Sequence, residues 1–505
     1  MVDFNNKRKT IFIRIFKNKK LLFLLLLILV GGFLRLYRLK ELMTYLGDEG
    51  RDMLIVADII QGKNFPFIGP PTSIGKLYLG PIYYYLITPF AWIFKMSPIG
   101  PAVFVVLLGL LTILLIYLVG SKYFNEKTGL FAAGLYTVSP LIVKFSRSSW
   151  NPNPMPFFSL VFLLSLYYWQ EKKQSKYLFF AIIAFAIMLQ LHYMAILLTP
   201  FLVFVFFKIG TKQQNKKTII ISSLIFILLL SPLLIFDLKH NFVNTKGIIE
   251  IFQQRSGEGF NFFEVLSRAR DRIRQLFSLF LGFSEREWRN NLVVILTVLY
   301  VFINWFKQKK ITRLIIYGWF MWGLLTIGLY RGSVYPHYLG FLFIMPALLM
   351  GHLLDAIYQF NTKTKILGLI FFLLLETWML KITWKDLSRP PVLNVNLVQK
   401  IVKLIGEESN GKDFNFALLA KNNYDDSYRY FFRLWNLPVS YQTKVTQQLF
   451  VVCEDADICF PQGNPKWEIA LFDVAYNGDI KIAGEWTPDP LIKVFKFIAN
   501  KEVSL

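Results

Sequence analysis

The chain is a succession of apolar runs, each near the length a helix needs to cross the hydrocarbon core of a bilayer, about 20 residues. They fall near 21–36, 98–119, 129–145, 157–170, 177–191, 193–208, 218–237, 291–306, 312–330, 338–357 and 366–381. The sequence therefore predicts a polytopic α-helical membrane protein with about eleven transmembrane helices, although the 177–208 pair is short for two. Composition agrees. Hydrophobic residues make up 55% and charged residues 17% of 505, against ~25% charged in soluble domains. A soluble multidomain enzyme is excluded on these grounds, and so is a disordered chain.

The net charge of +24 would suit a nucleic-acid partner, but its placement points to a membrane instead. The segment Gly80–Phe94 is apolar but holds Pro81 and Pro89, and it reads as a helix lying in the interface. With that assignment the segments 1–20, 120–128, 170–176, 207–217, 307–313 and 358–365 carry 22 Lys and Arg in 62 residues. The short loops on the other side, 146–156, 190–193 and 331–338, carry only Arg147 and Arg331. The positive-inside rule then puts the amino terminus in the cytoplasm and the carboxyl terminus outside. The first run lacks a small-x-small cleavage site and reads as an uncleaved span.

Two long loops, 37–97 and 238–290, are thus expected outside, and loops of that length usually carry function. The expected domains are a transmembrane domain over 1–384 and a soluble extracytoplasmic α/β domain over 385–505. In the latter, Asn396–Ile405 and Tyr424–Leu434 read as helices. Phe414–Leu419, Phe450–Cys453 and Lys493–Phe497 read as strands. Cys453 and Cys459 have five residues between them, close enough for a local disulfide in an oxidising space.

Polar residues gather in the outer loops. Gly47-Asp48-Glu49-Gly50-Arg51-Asp52 follows the first span by about ten residues. Adjacent carboxylates beside a bilayer are costly to keep. If a helix starts here, Asp48 and Arg51 share a face, as a general base beside a phosphate-binding cation would. Asp48 and Glu49 would equally serve as helix cap and dipole complement. Arg51–Ile60 reads as an amphipathic helix ending at Gly62. A turn-rich stretch with Lys76 leads to Gly80-Pro81-Ile82-Tyr83-Tyr84-Tyr85. The loop Ser146–Pro154 offers Arg147, Asn151 and Asn153, side chains that suit sugars and phosphates, or only an interfacial loop. His192 caps a helix pair on the same side. Arg331, His337 and Tyr338 share a further outer loop, where Arg331 and His337 would hold an anion. Glu264–Gly282 reads as a basic interfacial helix with Leu266, Ala269, Ile273, Phe277 and Phe280 on one face, facing acidic lipid or a lipid phosphate. Glu376 is a lone carboxylate in a late span and receives no role. There is no phosphate-cradling Gly-Lys-Ser/Thr loop and no Cys/His metal cluster.

These motifs resemble the GT-C superfamily of polytopic glycosyltransferases, closest to glycosyltransferase family 39, whose relatives include protein O-mannosyltransferases and bacterial aminoarabinose transferases. The resemblance rests on Asp48-Glu49-x-Arg51, Gly80–Tyr85, Ser146–Pro154, Gln190–His192 and His337-Tyr338 followed by Pro346, and covers roughly 10–380. It implies an inverting transfer from a polyprenyl-phosphate sugar to an acceptor hydroxyl on lipid, glycan or protein. Asp48 would match the catalytic base. Arg51 would match a residue near the donor phosphate, helped by Arg331 or Lys76. Glu49, Lys76, Arg147, Asn151, Asn153, His192, Arg331, His337 and Tyr338 would bind substrate. Where the family usually has an acidic residue in the second outer loop, this chain has Asn151 and Asn153, so no metal and no other cofactor is expected. The resemblance also implies a multi-pass protein of the plasma membrane, with the lipid bilayer and no nucleic acid among its partners. A transporter or lipid flippase, or a scaffold acting through its outer tail, are the alternatives; the first would need a central polar path, usually with repeat symmetry.

Overall fold

The computed structural model describes residues 18–72, 77–210, 216–253, 261–307, 310–441, 444–455 and 459–500. The chain divides into two units. One comprises residues 1–37, 66–86 and 102–389, and the other comprises 38–65, 87–101 and 390–505.

The first unit is helical. Among the described residues five helices are long and apolar enough to cross a membrane: Ile99–Tyr123, Lys216–Lys239, Trp288–Lys307, Ile311–Leu329 and Thr362–Leu387. A sixth span results if Pro336–Leu342 and Met345–Phe360, bent by 50° at their junction, are taken together. Three shorter apolar helices, Ile82–Ile93, Ser175–Leu191 and Tyr193–Lys208, accompany them. The chain is a multi-pass helical protein. On the opening helix, Lys19–Leu36, Leu25, Leu26, Leu29 and Phe33 are exposed while Leu24, Leu27 and Leu34 are buried. An apolar outer face of this kind suits lipid rather than water.

Several expected single helices are broken, and proline accounts for it. The 129–145 run is two helices, Glu126–Val138 and Pro140–Phe145. Pro140 has no N–H to continue the ladder, and carbonyls at the break accept from side chains instead, Thr137 from Arg35 Nη1 at 3.2 Å and Val138 from the Thr383 hydroxyl at 2.8 Å. The late run opens as a 3-10 turn at Pro336 before Pro346 starts the α-helix. The basic helix spans Phe262–Leu281 and ends at Gly282, whose φ of +73° is the left-handed stop expected of glycine. Its buried stripe runs through Val265, Ile273, Phe277 and Phe280, whereas Leu266, expected on that stripe, is exposed. One arginine serves a neighbouring helix: Arg268 Nε donates to the Gly328 carbonyl at 2.8 Å, near the end of Ile311–Leu329.

The second unit carries a four-stranded sheet. Its strands are β1 (Asn415–Leu419), β2 (Gln448–Cys453), β3 (Ile480–Asp489) and β4 (Ile492–Ala499), in the order β1-β2-β4-β3. β1 and β2 are parallel, with Ala417 opposite Val451, and the other pairings are antiparallel. β1 and β2 are buried at every position, as continuous apolar runs require. One face packs Ala417, Leu449 and Val451 on Ile469 and Phe472. The other sets Phe414 and Phe416 against Phe432, with ring centroids 5.4 and 4.9 Å apart. Phe432 belongs to the helix Asp426–Leu434. Cys453, at the end of β2, is disulfide-bonded to Cys459.

Candidate active site

The Asp-Glu-x-Arg segment opens the helix Gly47–Ile60 in the second unit. Its N-cap is Leu46, which has no side-chain acceptor for the free N–H groups of a first turn. Two of them are satisfied by other side chains. Glu49 Oε2 accepts the Leu46 N–H at 2.9 Å. Asn423 Oδ1, from a residue 376 positions further along the chain, accepts the Gly47 N–H at 2.8 Å. The Asn423 amide nitrogen donates to both oxygens of Glu454 at 3.0 and 2.9 Å, which fixes which way the amide points.

The helix packs on Asp426–Leu434 by direct backbone approach. A Cβ on Gly50 would lie 2.3 Å from Ser427 N and 2.4 Å from the Asp426 carbonyl carbon. Gly50→Ala should therefore force the two helices apart and cost about 1–3 kcal/mol, read as a lowered thermal midpoint. Farther along the same pair, Arg433 Nη2 bonds Asp58. Tyr45, fully buried, packs on Phe431 with centroids 5.6 Å apart.

Three carboxylates stand at the start of this helix, Asp48 and Glu49 on its first turn and Asp52 on the next, and they are not alike. The Asp48 side chain is 40% exposed. Its Oδ1 accepts from Arg51 Nη1 at 2.7 Å and from the Tyr424 hydroxyl. Asp52 is buried, and its Oδ1 accepts from Arg51 Nε at 3.1 Å and Nη2 at 2.7 Å, while its buried Oδ2 has no hydrogen-bond partner among the described residues. Burial pushes the Asp52 carboxyl up to about 6, against the pull of Arg51. Glu49 is also buried; burial pushes it up to about 7, and the charges of Asp48 and Asp52 add to the effect. Arg51 thus bridges one accessible and one buried carboxylate. Of the three carboxylates, Asp48 is the one open to solvent.

The Glu49 shift has a stability consequence. Between its ordinary 4.5 and about 7, the folded chain holds a proton that the unfolded chain has released. Stability therefore falls as pH rises through that window. Glu49→Gln, which keeps an oxygen for the Leu46 N–H, should flatten the decline. Thermal unfolding in detergent at pH 5 and pH 8 checks this: the wild type should lose midpoint between the two, and the variant should lose less.

The other sequence-predicted residues lie in the first unit, where loops distant in sequence converge. His337 has its ring centroid 4.4 Å from Trp150, 5.5 Å from His192 and 4.7 Å from Tyr338. His192 and Tyr338 are 4.8 Å apart. Asn151 joins the group by donating from Nδ2 to the Leu191 carbonyl at 2.8 Å. Burial, with the charge of His337 adding to it, pushes the His192 imidazole down to about 3, so this ring is neutral near pH 7. Its Nδ1 accepts the Met194 N–H at 3.2 Å, which leaves the ring proton on Nε2. Asn153 donates to the Ser148 carbonyl at 2.8 Å, and its buried Oδ1 has no partner among the described residues. Arg147 is engaged in structure: Nη1 and Nη2 donate to the carbonyls of Leu34 and Tyr37, capping the opening helix at its negative end. Arg331 is half-buried and lies in the loop ahead of Pro336. Lys76 lies outside the described residues. Among the described residues no group of three or more His, Cys, Asp or Glu is placed to hold a metal ion.

Tyr424 and Asn423 were not among the residues singled out from the sequence. Nothing local marks them, because their role depends on a contact across more than 370 positions.

Comparison with known proteins bears out the resemblance. Residues 79–236 match the family model described as dolichyl-phosphate-mannose-protein mannosyltransferase. That segment includes Gly80–Tyr85, Ser146–Pro154 and His192 but not Asp48. No curated protein matches the chain by sequence. Among solved structures, the fold is similar to that of ArnT from Cupriavidus metallidurans bound to undecaprenyl phosphate. The TM-score is 0.62 at 11% identity, over 94% of this chain and 97% of that one. It is also similar to the archaeal oligosaccharyltransferase AglB from Archaeoglobus fulgidus in complex with an inhibitory peptide and a dolichol-phosphate. There the TM-score is 0.57 at 12% identity, over 97% of this chain and 75% of that one. The chain thus shares its fold with these two proteins, and the segment matched by the family model lies within that fold.

Proposed function

We propose that the protein is an integral-membrane inverting glycosyltransferase that moves a sugar from a polyprenyl-phosphate donor to an acceptor hydroxyl on the extracytoplasmic face. One observation carries the reading: an accessible carboxylate, Asp48, is held on Arg51 in the first turn of a helix that follows the opening apolar helix. The likeness in fold to a protein with undecaprenyl phosphate bound supports the choice of donor.

In this mechanism Asp48 takes the proton of the acceptor hydroxyl. The oxygen attacks the anomeric carbon, the bond from that carbon to the phosphate oxygen breaks, and polyprenyl phosphate leaves. Arg51 stabilises the charge that grows on the phosphate. Asn151, His192, Arg331, His337 and Tyr338 are assigned to substrate binding. We further propose about eleven spans, counting the shorter and broken helices, with the amino terminus cytoplasmic and the tail outside. A donor with a single phosphate needs no divalent ion to neutralise it, so turnover is expected to survive a chelator.

Proteoliposomes loaded with labelled polyprenyl-phosphate sugar test the reading against a flippase. The enzyme releases free polyprenyl phosphate, with and without EDTA. Redistribution of intact donor between leaflets with no cleavage would sink the proposal, and loss of cleavage in EDTA would sink its metal-free form.

A further inference from the structure

We propose that Tyr424, in the carboxyl-terminal tail, is a positioning residue for Asp48. The inference rests on the catalytic reading of Asp48 and extends it to a residue outside the Asp-Glu-x-Arg motif. The Tyr424 hydroxyl donates to Asp48 Oδ1 and accepts from Arg51 Nη1 at 3.0 Å. Base, cation and phenol thus close a three-membered ring of hydrogen bonds. The ring of Tyr424 lies directly over Gly47, where a Cβ would come within 2.5–2.7 Å of its carbons. Gly47 and Tyr424 are therefore matched: any side chain at 47 would displace the phenol.

The preceding residue fixes the geometry from behind. Asn423 caps the Gly47 N–H and is itself held by Glu454 at the end of β2. The Tyr424 N–H donates to Asn423 Oδ1 at 2.9 Å. A chain of bonds therefore runs from the sheet of the tail to the carboxylate, and one oxygen of that carboxylate is held in place. The tail completes the setting of the base rather than serving as a separate module.

The ionisable groups around Asp48 in this unit are Glu49, Arg51 and Asp52 on its own helix and Tyr424 and Asp426 on the tail. Of these, Tyr424 and Arg51 bond it directly. Tyr424→Phe removes one donor and keeps the ring over Gly47, so the fold should be retained.

Full-length wild type and Tyr424→Phe are compared in detergent on whichever polyprenyl-phosphate sugar the wild type cleaves. The variant should lose roughly tenfold in kcat, with the donor KM within about twofold. Combined with Asp48→Asn, Tyr424→Phe should cause no further loss. Independently of turnover, labelling of Asp48 by a water-soluble carbodiimide at pH 6, read by peptide mass spectrometry, should rise several-fold in the variant. Unchanged kcat and unchanged labelling would overturn the inference. A kcat loss with unchanged labelling and a lowered thermal midpoint would also overturn it, since that is the signature of a packing role. Near-normal turnover in Asp48→Asn would instead overturn the catalytic reading, and the labelling result would still decide whether Tyr424 controls this carboxylate.

Discussion

Asp48→Asn is expected to lower turnover at least about a hundredfold, the lower end of what a positioned general base contributes, while leaving the protein folded. The substitution is nearly isosteric. An asparagine oxygen still accepts from Arg51 and Tyr424, so the ring of bonds around position 48 survives. What is lost is the ability to take a proton. Arg51 keeps a counter-charge in Asp52, so no cation is stranded. Steady-state release of polyprenyl phosphate, alongside a thermal melt, separates lost chemistry from lost structure. Because the base is needed in the transition state more than for binding the donor, the loss should fall on kcat.

The second large effect is expected at Arg51. Its guanidinium is the only hydrogen-bonding partner that the described residues show for the buried Asp52 carboxylate, whose Oδ2 already lacks one. Removing one member of a buried pair leaves the other uncompensated, at about 3 kcal/mol or more. Arg51→Ala should therefore lower both activity and thermal midpoint. Arg51→Ala with Asp52→Asn should recover most of the stability and none of the activity, since the neutral amide no longer needs a cation but the phosphate still does. Recovery of both would show that Arg51 is only structural. Arg51→Lys should fall between, because one ammonium cannot reproduce a fork that bonds Asp52 through two nitrogens and Asp48 through the third.

Much of this was legible in the sequence because it is local. Apolar runs mark helices whatever else the chain does, and Ser175–Leu191 and Ile311–Leu329 fall within about two residues of their expected ends. The end of the helix after Asp48 was legible too, at Ile60 before Gly62 with its φ of +68°, although the helix starts at Gly47 rather than at Arg51. The tail's buried strands were visible as apolar runs. β3 was not, since Lys481, Gly484 and Pro488 interrupt its pattern and its side chains are half-exposed. The breaks at Ser139 and near Phe343 were missed because hydropathy does not register a missing N–H.

In the site, residue types were legible and environments were not. The sequence places three carboxylates and an arginine within five positions. It cannot say that Asp48 is open while Glu49 and Asp52 are buried, because a tail almost 380 residues away covers one side of the helix. It also offered Arg147 as a substrate-binding residue on type alone, whereas the structure occupies that guanidinium with the end of the opening helix.

The most direct test is the fate of the donor. Purified wild type and Asp48→Asn are incubated in detergent with a panel of polyprenyl-phosphate sugars and candidate hydroxyl acceptors, and free polyprenyl phosphate is quantified by mass spectrometry. Release from at least one donor by the wild type, and its near-absence with a folded Asp48→Asn, is the predicted result. Equal release by both proteins would contradict the role of Asp48, and release from no donor across the panel would contradict glycosyl transfer from a lipid phosphate.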